Sequence, residues 1–168
     1  NSVYTISTSG SYRFTGTGTE TSNRIVIDNV TSGEVKIYLN NVNINTGDGP
    51  ALQITSTVTA QVCIYLEGQH SSAALQKDNN SGLTITSTNT VTGSLAAQAS
   101  CGAGIGSGQH IGGASISGNT VSNITISGGS VKATKIDCTP KDSKNNDVYL
   151  CEISNAASSE ITIDAVKR

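Results

Sequence analysis

Residues 52–66 read Leu52-Gln-Ile-Thr-Ser-Thr-Val-Thr-Ala-Gln-Val-Cys-Ile-Tyr-Leu66, and their alternation decides the fold. The even positions carry Leu52, Ile54, Ser56, Val58, Ala60, Val62, Ile64 and Leu66. The odd positions carry Gln53, Thr55, Thr57, Thr59, Gln61, Cys63 and Tyr65. A period of two means extended chain with one buried face, and it points the even set inward. The end of this stretch, Val62-Cys-Ile-Tyr-Leu66, echoes Val35-Lys-Ile-Tyr-Leu39. Downstream the echo continues, from Leu39-Asn-Asn-Val-Asn-Ile44 to Gly49-Pro-Ala-Leu-Gln-Ile54 and from Leu66-Glu-Gly to Gly82-Leu-Thr-Ile85. A second pair is Leu83-Thr-Ile-Thr86 with Ile124-Thr-Ile-Ser127, and Ile25-Val-Ile27 and Ile161-Thr-Ile163 have the same form.

Short strands between Gly, Asn, Asp and Ser turns suit a sandwich or barrel as well as a solenoid. Here the strands repeat as phrases, which sandwich strands need not do. Two-residue hairpin signals such as Asn-Gly or Asp-Gly are scarce, Asp48-Gly49 being the one instance of these. The expectation is therefore an all-β chain, a single-domain right-handed parallel β-solenoid over residues 1–168. With three strands and three corners per turn, each coil takes roughly 20–30 residues, about six coils in all.

Composition agrees. Hydrophobic residues make up 35% and charged residues 13% of the 168. A disordered chain offsets low hydrophobicity with charge, and this one uses Thr, Ser, Asn and Gly instead. A net charge of −2 with scattered Lys and Arg provides no footprint for nucleic acid. No apolar run is long enough for membrane insertion. The chain enters on a strand phrase, Val3-Tyr-Thr-Ile6, as expected of a mature protein or an excised domain, and the location expected is secreted or cell-surface.

Cysteines stand at 63, 101, 138 and 151, without a C-x-x-C pair. An even number in such a chain suits an oxidising compartment, so Cys63, Cys101, Cys138 and Cys151 are disulfide candidates with three pairings open. Cys63 takes an outward position, the slot of Lys36 in the matching phrase, where a free thiol is a liability. Cys101 and Cys138 each follow one of the two Thr-Ile segments.

Chemistry-bearing motifs are sparse. The run Gly102-Ala-Gly-Ile-Gly-Ser-Gly108 lacks nucleotide-loop spacing and reads as a tight corner. His70 and His110 sit in Gly/Ser-rich stretches read as exposed loops, with no nucleophile elbow near them. A glycosidase needs two carboxylates across a cleft, whereas Asp137, Asp142 and Asp147 form the only loose acidic cluster, read as a solvated loop. No cofactor is expected. Calcium at that cluster is the nearest exception, and its spacing matches no known loop. The sequons at Asn29, Asn79 and Asn123 are what chance gives in so Asn-, Ser- and Thr-rich a chain. Alternating threonines (15–21, 55–59 and 84–92) would make an ice-binding array only if they stacked on one face.

The phrase Tyr4-Thr-Ile-Ser-Thr-Ser-Gly-Ser-Tyr-Arg-Phe-Thr-Gly16 resembles the opening of a β-helical carbohydrate-binding domain of bacterial surface proteins. Ile25-Val-Ile-Asp28, Val35-Lys-Ile-Tyr-Leu39 and Gly49-Pro-Ala-Leu-Gln-Ile54 are similar to its next coils. Gly102-Ala-Gly-Ile-Gly106 with Ile124-Thr-Ile-Ser-Gly-Gly-Ser-Val-Lys-Ala133 resembles its glycine phrase. The likeness covers residues 4 to about 133. Beyond Ala133 a Lys/Asp loop with two cysteines stands where another glycine coil would follow. The resemblance implies a parallel β-helix, an extracellular bacterial setting and affinity for polysaccharide, with no catalytic residues.

Two functions follow. The first is a non-enzymatic carbohydrate-binding or adhesive surface protein, using an outer face with Tyr38, Tyr65, Lys36, Asn40 and Asp48. Tyr38 and Tyr65 fall in equivalent outward slots, which predicts a stacked ladder able to receive a sugar ring. The second is a structural subunit whose partners are other copies of itself, forming an extracellular filament or coat. Ice binding ranks third.

Overall fold

The computed structural model describes residues 2–46, 50–73, 75–77, 81–87, 93–98, 105–106, 124–126, 130–133, 136–137 and 160–163. Among these the chain is all-β, with no helix and with every strand pairing parallel. The first sheet contains β1 (Val3–Ile6), β4 (Arg24–Ile27), β7 (Leu52–Ile54), β10 (Leu75–Lys77), β13 (Ile105–Gly106) and β16 (Ile136–Asp137), in that order. The second contains β2 (Gly10–Thr15), β5 (Glu34–Asn40), β8 (Gln61–Leu66), β11 (Leu83–Ser87) and β14 (Ile124–Ile126). The third contains β3 (Glu20–Thr21), β6 (Asn43–Ile44), β9 (Gln69–Ala73), β12 (Ser94–Gln98), β15 (Ser130–Ala133) and β17 (Glu160–Ile163). From β1 to β16 the chain visits the three sheets in strict rotation, and each strand pairs with the one three places on.

Register follows the sequence echoes. Val35 pairs with Val62, Lys36 with Cys63, Ile37 with Ile64, Tyr38 with Tyr65 and Leu39 with Leu66. Leu83, Thr84 and Ile85 stand beside Ile124, Thr125 and Ile126. Ile161-Thr-Ile163 is different. Despite its likeness to those triplets it belongs to the third sheet, beside Val131–Ala133.

Like residues stack on like, which makes the core a set of aliphatic columns. Ile37, Ile64 and Ile85 form one, each fully buried, and Ile27 and Ile54 form another. Ile44, Leu95 and Ala97 contribute from the third sheet to the same cluster. Aliphatic burial yields about 25 cal/mol per Å² of apolar surface, so a thin core suffices when nearly every inward position is used. At the first layer, aromatic side chains replace aliphatic ones: Tyr12 and Phe14 pack against the core, and Tyr4 meets Phe14 edge to face at 5.2 Å. The Tyr12 hydroxyl donates to the Thr8 carbonyl at 2.9 Å, so its polar end is satisfied while its ring packs against the core.

The corners are built by Asn and Gly. Asn29 and Asn41 take positive φ, 56° and 51°, a region open to Asn at modest cost. At the corner from the second sheet to the third, a Cβ on Gly16 would lie 2.3 Å from the Asn41 carbonyl oxygen. One on Gly68 would lie 2.7 Å from Asn41 Oδ1, so the layers on either side of Asn41 pack close at this corner. At the corner from the first sheet to the second, Thr55 and Thr57 donate to Asp28 Oδ1 at 2.7 and 2.8 Å. These bonds hold the Asp28 carboxyl below its usual range. The Asn29 amide donates to Thr57 Oγ1 at 2.9 Å. Here threonine hydroxyls brace a bend.

Four readings of the sequence change. Ser56 is exposed although its neighbours at even positions are buried. The cause is a turn at Ser56–Thr57, closed by the Val58 amide on the Thr55 carbonyl at 3.2 Å, which restores the parity only at Val58. Within the glycine run, Ile105–Gly106 is a strand and Ile105 is fully buried, because an apolar side chain was needed beside Leu75. His70 lies in strand β9, at the register position of Leu95, and not in a loop. Asp137 ends strand β16, paired with Gly106. His110, Asp142, Asp147 and the hairpin signal Asp48-Gly49 lie outside the described residues, as do Cys101, Cys138 and Cys151.

Candidate functional site on the outer face of the second sheet

Outward positions of the second sheet form parallel columns, because a parallel register keeps equivalent side chains in line. One column runs Arg13, Tyr38, Tyr65, Thr86. Beside it runs Ser11, Lys36, Cys63, Thr84. Thr15 and Asn40 are paired on the other side, and the Glu67 amide donates to the Leu39 carbonyl just beyond. Four of the five residues expected at an outer face, Tyr38, Tyr65, Lys36 and Asn40, thus share it. Asp48 lies outside the described residues.

Tyr38 and Tyr65 are stacked, with ring centroids 4.7 Å apart and planes 10° from parallel. The Arg13 guanidinium lies over the Tyr38 ring, 5.0 Å from its centroid. Since β2 and β8 flank β5 on opposite sides, Arg13 and Tyr65 cover opposite faces of Tyr38. Arg13 is itself paired with Glu67. The stack is therefore anchored at one end by a cation that is neutralised across the sheet. Stacking of this kind adds about 0.5–1.5 kcal/mol beyond burial, and an exposed cation–π contact about 0.5–1 kcal/mol.

The adjoining column is a second charge-neutral group. Lys36 Nζ meets Glu34 at 3.2 Å, and the Cys63 thiol donates to Glu34 Oε1 at 3.1 Å. The thiol bond foremost, and the Lys36 contacts after it, lower the Glu34 carboxyl, while Glu34 raises Lys36. Burial, with the Glu34 carboxylate behind it, pushes the Cys63 thiol up to about 11. Burial also raises the Tyr65 phenol, with further contributions from Cys63 and Tyr38.

Cys63 corrects an expectation. It occupies the outward slot beside Lys36, yet its neighbours leave it only 9% exposed, and it is a free thiol. A thiol with so small a thiolate fraction is a poor nucleophile and a poor partner for exchange, so the liability that argued for a disulfide does not arise. The threonine rows also resolve: Thr15 stands beside Asn40, Thr21 beside Ile44, Thr84 beside Cys63 and Thr86 beside Tyr65. None of these four stands beside another member of the three rows, although Thr84 stands beside Thr125, and Thr88, Thr90 and Thr92 lie outside the described residues. Among the described residues, no three His, Cys, Asp or Glu side chains gather as a metal site, and no helix is long and apolar enough to cross a membrane.

Sequence reasoning missed Arg13, Glu34, Glu67 and Thr86 as parts of this face. The signal for Arg13 was present: Gly10-Ser-Tyr-Arg-Phe14 is a degenerate copy of Val35-Lys-Ile-Tyr-Leu39, with Arg in the Tyr slot. Glu67 falls one residue past a strand, where the repeat carries no pattern.

No curated protein and no solved structure matches the chain. A family model does, over residues 1–117, and its description is carbohydrate-binding domain-containing protein. Those residues include every described part of the first three layers and the whole of the Arg13–Tyr38–Tyr65–Thr86 column. The chain belongs to this family of carbohydrate-binding domain-containing proteins.

Proposed function

We propose that this protein is a non-enzymatic carbohydrate-binding or adhesive protein of the bacterial surface, secreted or displayed outside the cell. Its ligand contact lies on the outer face of the second sheet. In this reading the chain is one domain over residues 1–168, a right-handed parallel β-solenoid of about six coils. The rotation through three parallel sheets supports that architecture. The observation carrying the functional reading is the Tyr38–Tyr65 stack, which lies within the family-matched residues. Pyranose rings have one face of C–H groups, and these sit well on the electron-rich face of an aromatic ring. Both described carboxylates of the face are committed to partners, Glu34 to Cys63 and Lys36 and Glu67 to Arg13. That favours binding over acid–base chemistry.

A glycan array probed with the purified protein tests the proposal, beside the Tyr38→Ala/Tyr65→Ala double variant. A monomer that binds a glycan and loses it in the double variant is expected. The alternative, a self-assembling subunit, draws support from Val3 and Tyr4, each 53% exposed on the edge strand of the first sheet. Concentration-dependent fibres without glycan binding would replace the first reading with the second.

A further inference from the structure

Among the described residues the aromatic column ends in a step, where one ring face meets no further ring or cation. Tyr38 is covered by Arg13 on one side and by Tyr65 on the other. Among the described rings, Tyr65 has Tyr38 on one side and none on the other. On its far side the register partner is Thr86, and beside Cys63 it is Thr84. Two bulky layers, Lys36/Tyr38 and Cys63/Tyr65, therefore drop to a layer of short threonines. The Tyr65 ring becomes a wall, and Thr84 and Thr86 become a floor. The hydroxyls of that floor differ in commitment. Thr84 Oγ1 accepts from Gln61 Nε2 at 3.3 Å, whereas Thr86 Oγ1 reaches only the Ser87 carbonyl, at 3.5 Å. A bond that long is at the limit of usefulness, so the Thr86 hydroxyl is available to a ligand.

Charge defines what fits. Arg13 is neutralised by Glu67 and Lys36 by Glu34, and among the described residues the step itself carries neither a cation nor an anion. A uronate placed here would lose solvation and meet no unpaired cation among the described residues, a cost that a neutral sugar avoids. We infer that the step between Tyr65 and Thr86 is the binding subsite for a single neutral pyranose unit of a polysaccharide. Its C–H face stacks on the Tyr65 ring, continuing the column by one member, and a hydroxyl bonds Thr86 Oγ1. This inference rests on the carbohydrate-binding reading and assigns it a place and a sugar class. Tyr38 and Arg13 act as positioning residues that hold Tyr65 upright.

The test is a variant that extends the column with protein instead of sugar. Thr86→Tyr adds a third ring in an outward slot and fills the step without touching the core. The array carries neutral and uronic-acid oligosaccharides, and the thermal midpoint of each variant is measured alongside. The inference predicts hits among neutral glycans and at least a tenfold loss for Thr86→Tyr at an unchanged or raised thermal midpoint. Tyr65→Ala should lose binding at least as strongly, and Tyr38→Ala less. Wild-type binding that survives Thr86→Tyr would overturn the subsite while leaving carbohydrate binding intact. Binding confined to uronic-acid glycans would overturn the neutral class. Absence of any wild-type glycan binding would remove the function itself, and the subsite with it.

Discussion

Two columns of the second sheet, one residue apart along every strand, obey different rules. The inner column reads Tyr12, Ile37, Ile64, Ile85, and its neighbour on the outer face reads Arg13, Tyr38, Tyr65, Thr86. Past the first layer the inner column keeps one residue type, and every member is fully buried. The outer column changes cation to aromatic to hydroxyl over the same distance. An inner side chain must match the volume left by the layers above and below it, so repetition solves the packing once for all layers. An outer side chain answers only to its lateral neighbours, which leaves room for a functional gradient. Aromatic residues show the contrast most clearly. Tyr12 closes a core and ties its hydroxyl to Thr8, whereas Tyr38 and Tyr65 are half-buried on the outer face and stack on each other, with Arg13 over Tyr38.

The largest expected effect breaks the inner rule. Ile64→Ala removes a fully buried side chain from the middle of its column and should cost about 2–5 kcal/mol, read as a lowered urea midpoint. A loss below about 1 kcal/mol would mean that the columns are not close-packed.

A smaller effect probes the corner that keeps the columns in line. Gly16→Ala places a Cβ against the Asn41 carbonyl oxygen, a backbone atom that cannot swing aside. It should cost about 1–3 kcal/mol, whereas Gly18→Ala, with open space but positive φ, should cost less, about 1 kcal/mol. Equal losses at both positions would argue against close stacking of the corner.

The outer face supplies the third test, in the alkaline range. Cys63 keeps its proton to about pH 11 in the folded chain, against 9.0 for an ordinary thiol. Its contribution is fully present below pH 9 and fades as the unfolded thiol ionises first, up to about pH 11. The wild type should therefore lose stability relative to Cys63→Ser across that window, and alkylation of the thiol at pH 8 should be slow. Fast alkylation at pH 8 would show a reactive, exposed thiol and would restore the disulfide reading.

The smallest effect belongs to the anchor. Arg13→Ala should cost no more than about 1 kcal/mol in the urea midpoint, because the Arg13 side chain is itself 55% exposed.

The sequence makes the difference between inside and outside legible, because parity is a property of a single strand. Residues 52–66 follow it with two exceptions: Ser56 sits in a turn, and Cys63 is outward yet covered by its neighbours. The Tyr38–Tyr65 ladder was equally legible, since the two phrases around it match residue for residue at the inward positions. Sheet membership was not. Ile25-Val-Ile27, Leu83-Thr-Ile85 and Ile161-Thr-Ile163 are nearly interchangeable as strings, yet they lie in the first, second and third sheets. Corner lengths decide which sheet a triplet joins, and corners built on Asn29, Asn41 and Gly16 follow no period. The step at Thr86 was hidden for a related reason: it exists only as a difference between stacked layers, and no single phrase contains it.

Amide chemical-shift mapping during titration with a neutral oligosaccharide identified on the array tests the central claim most directly. The account predicts perturbations concentrated at Tyr65, Thr84, Thr86 and Ser87, with little change at the inner positions or in the first and third sheets. Perturbations centred on either of those other sheets, with β8 and β11 silent, would contradict it.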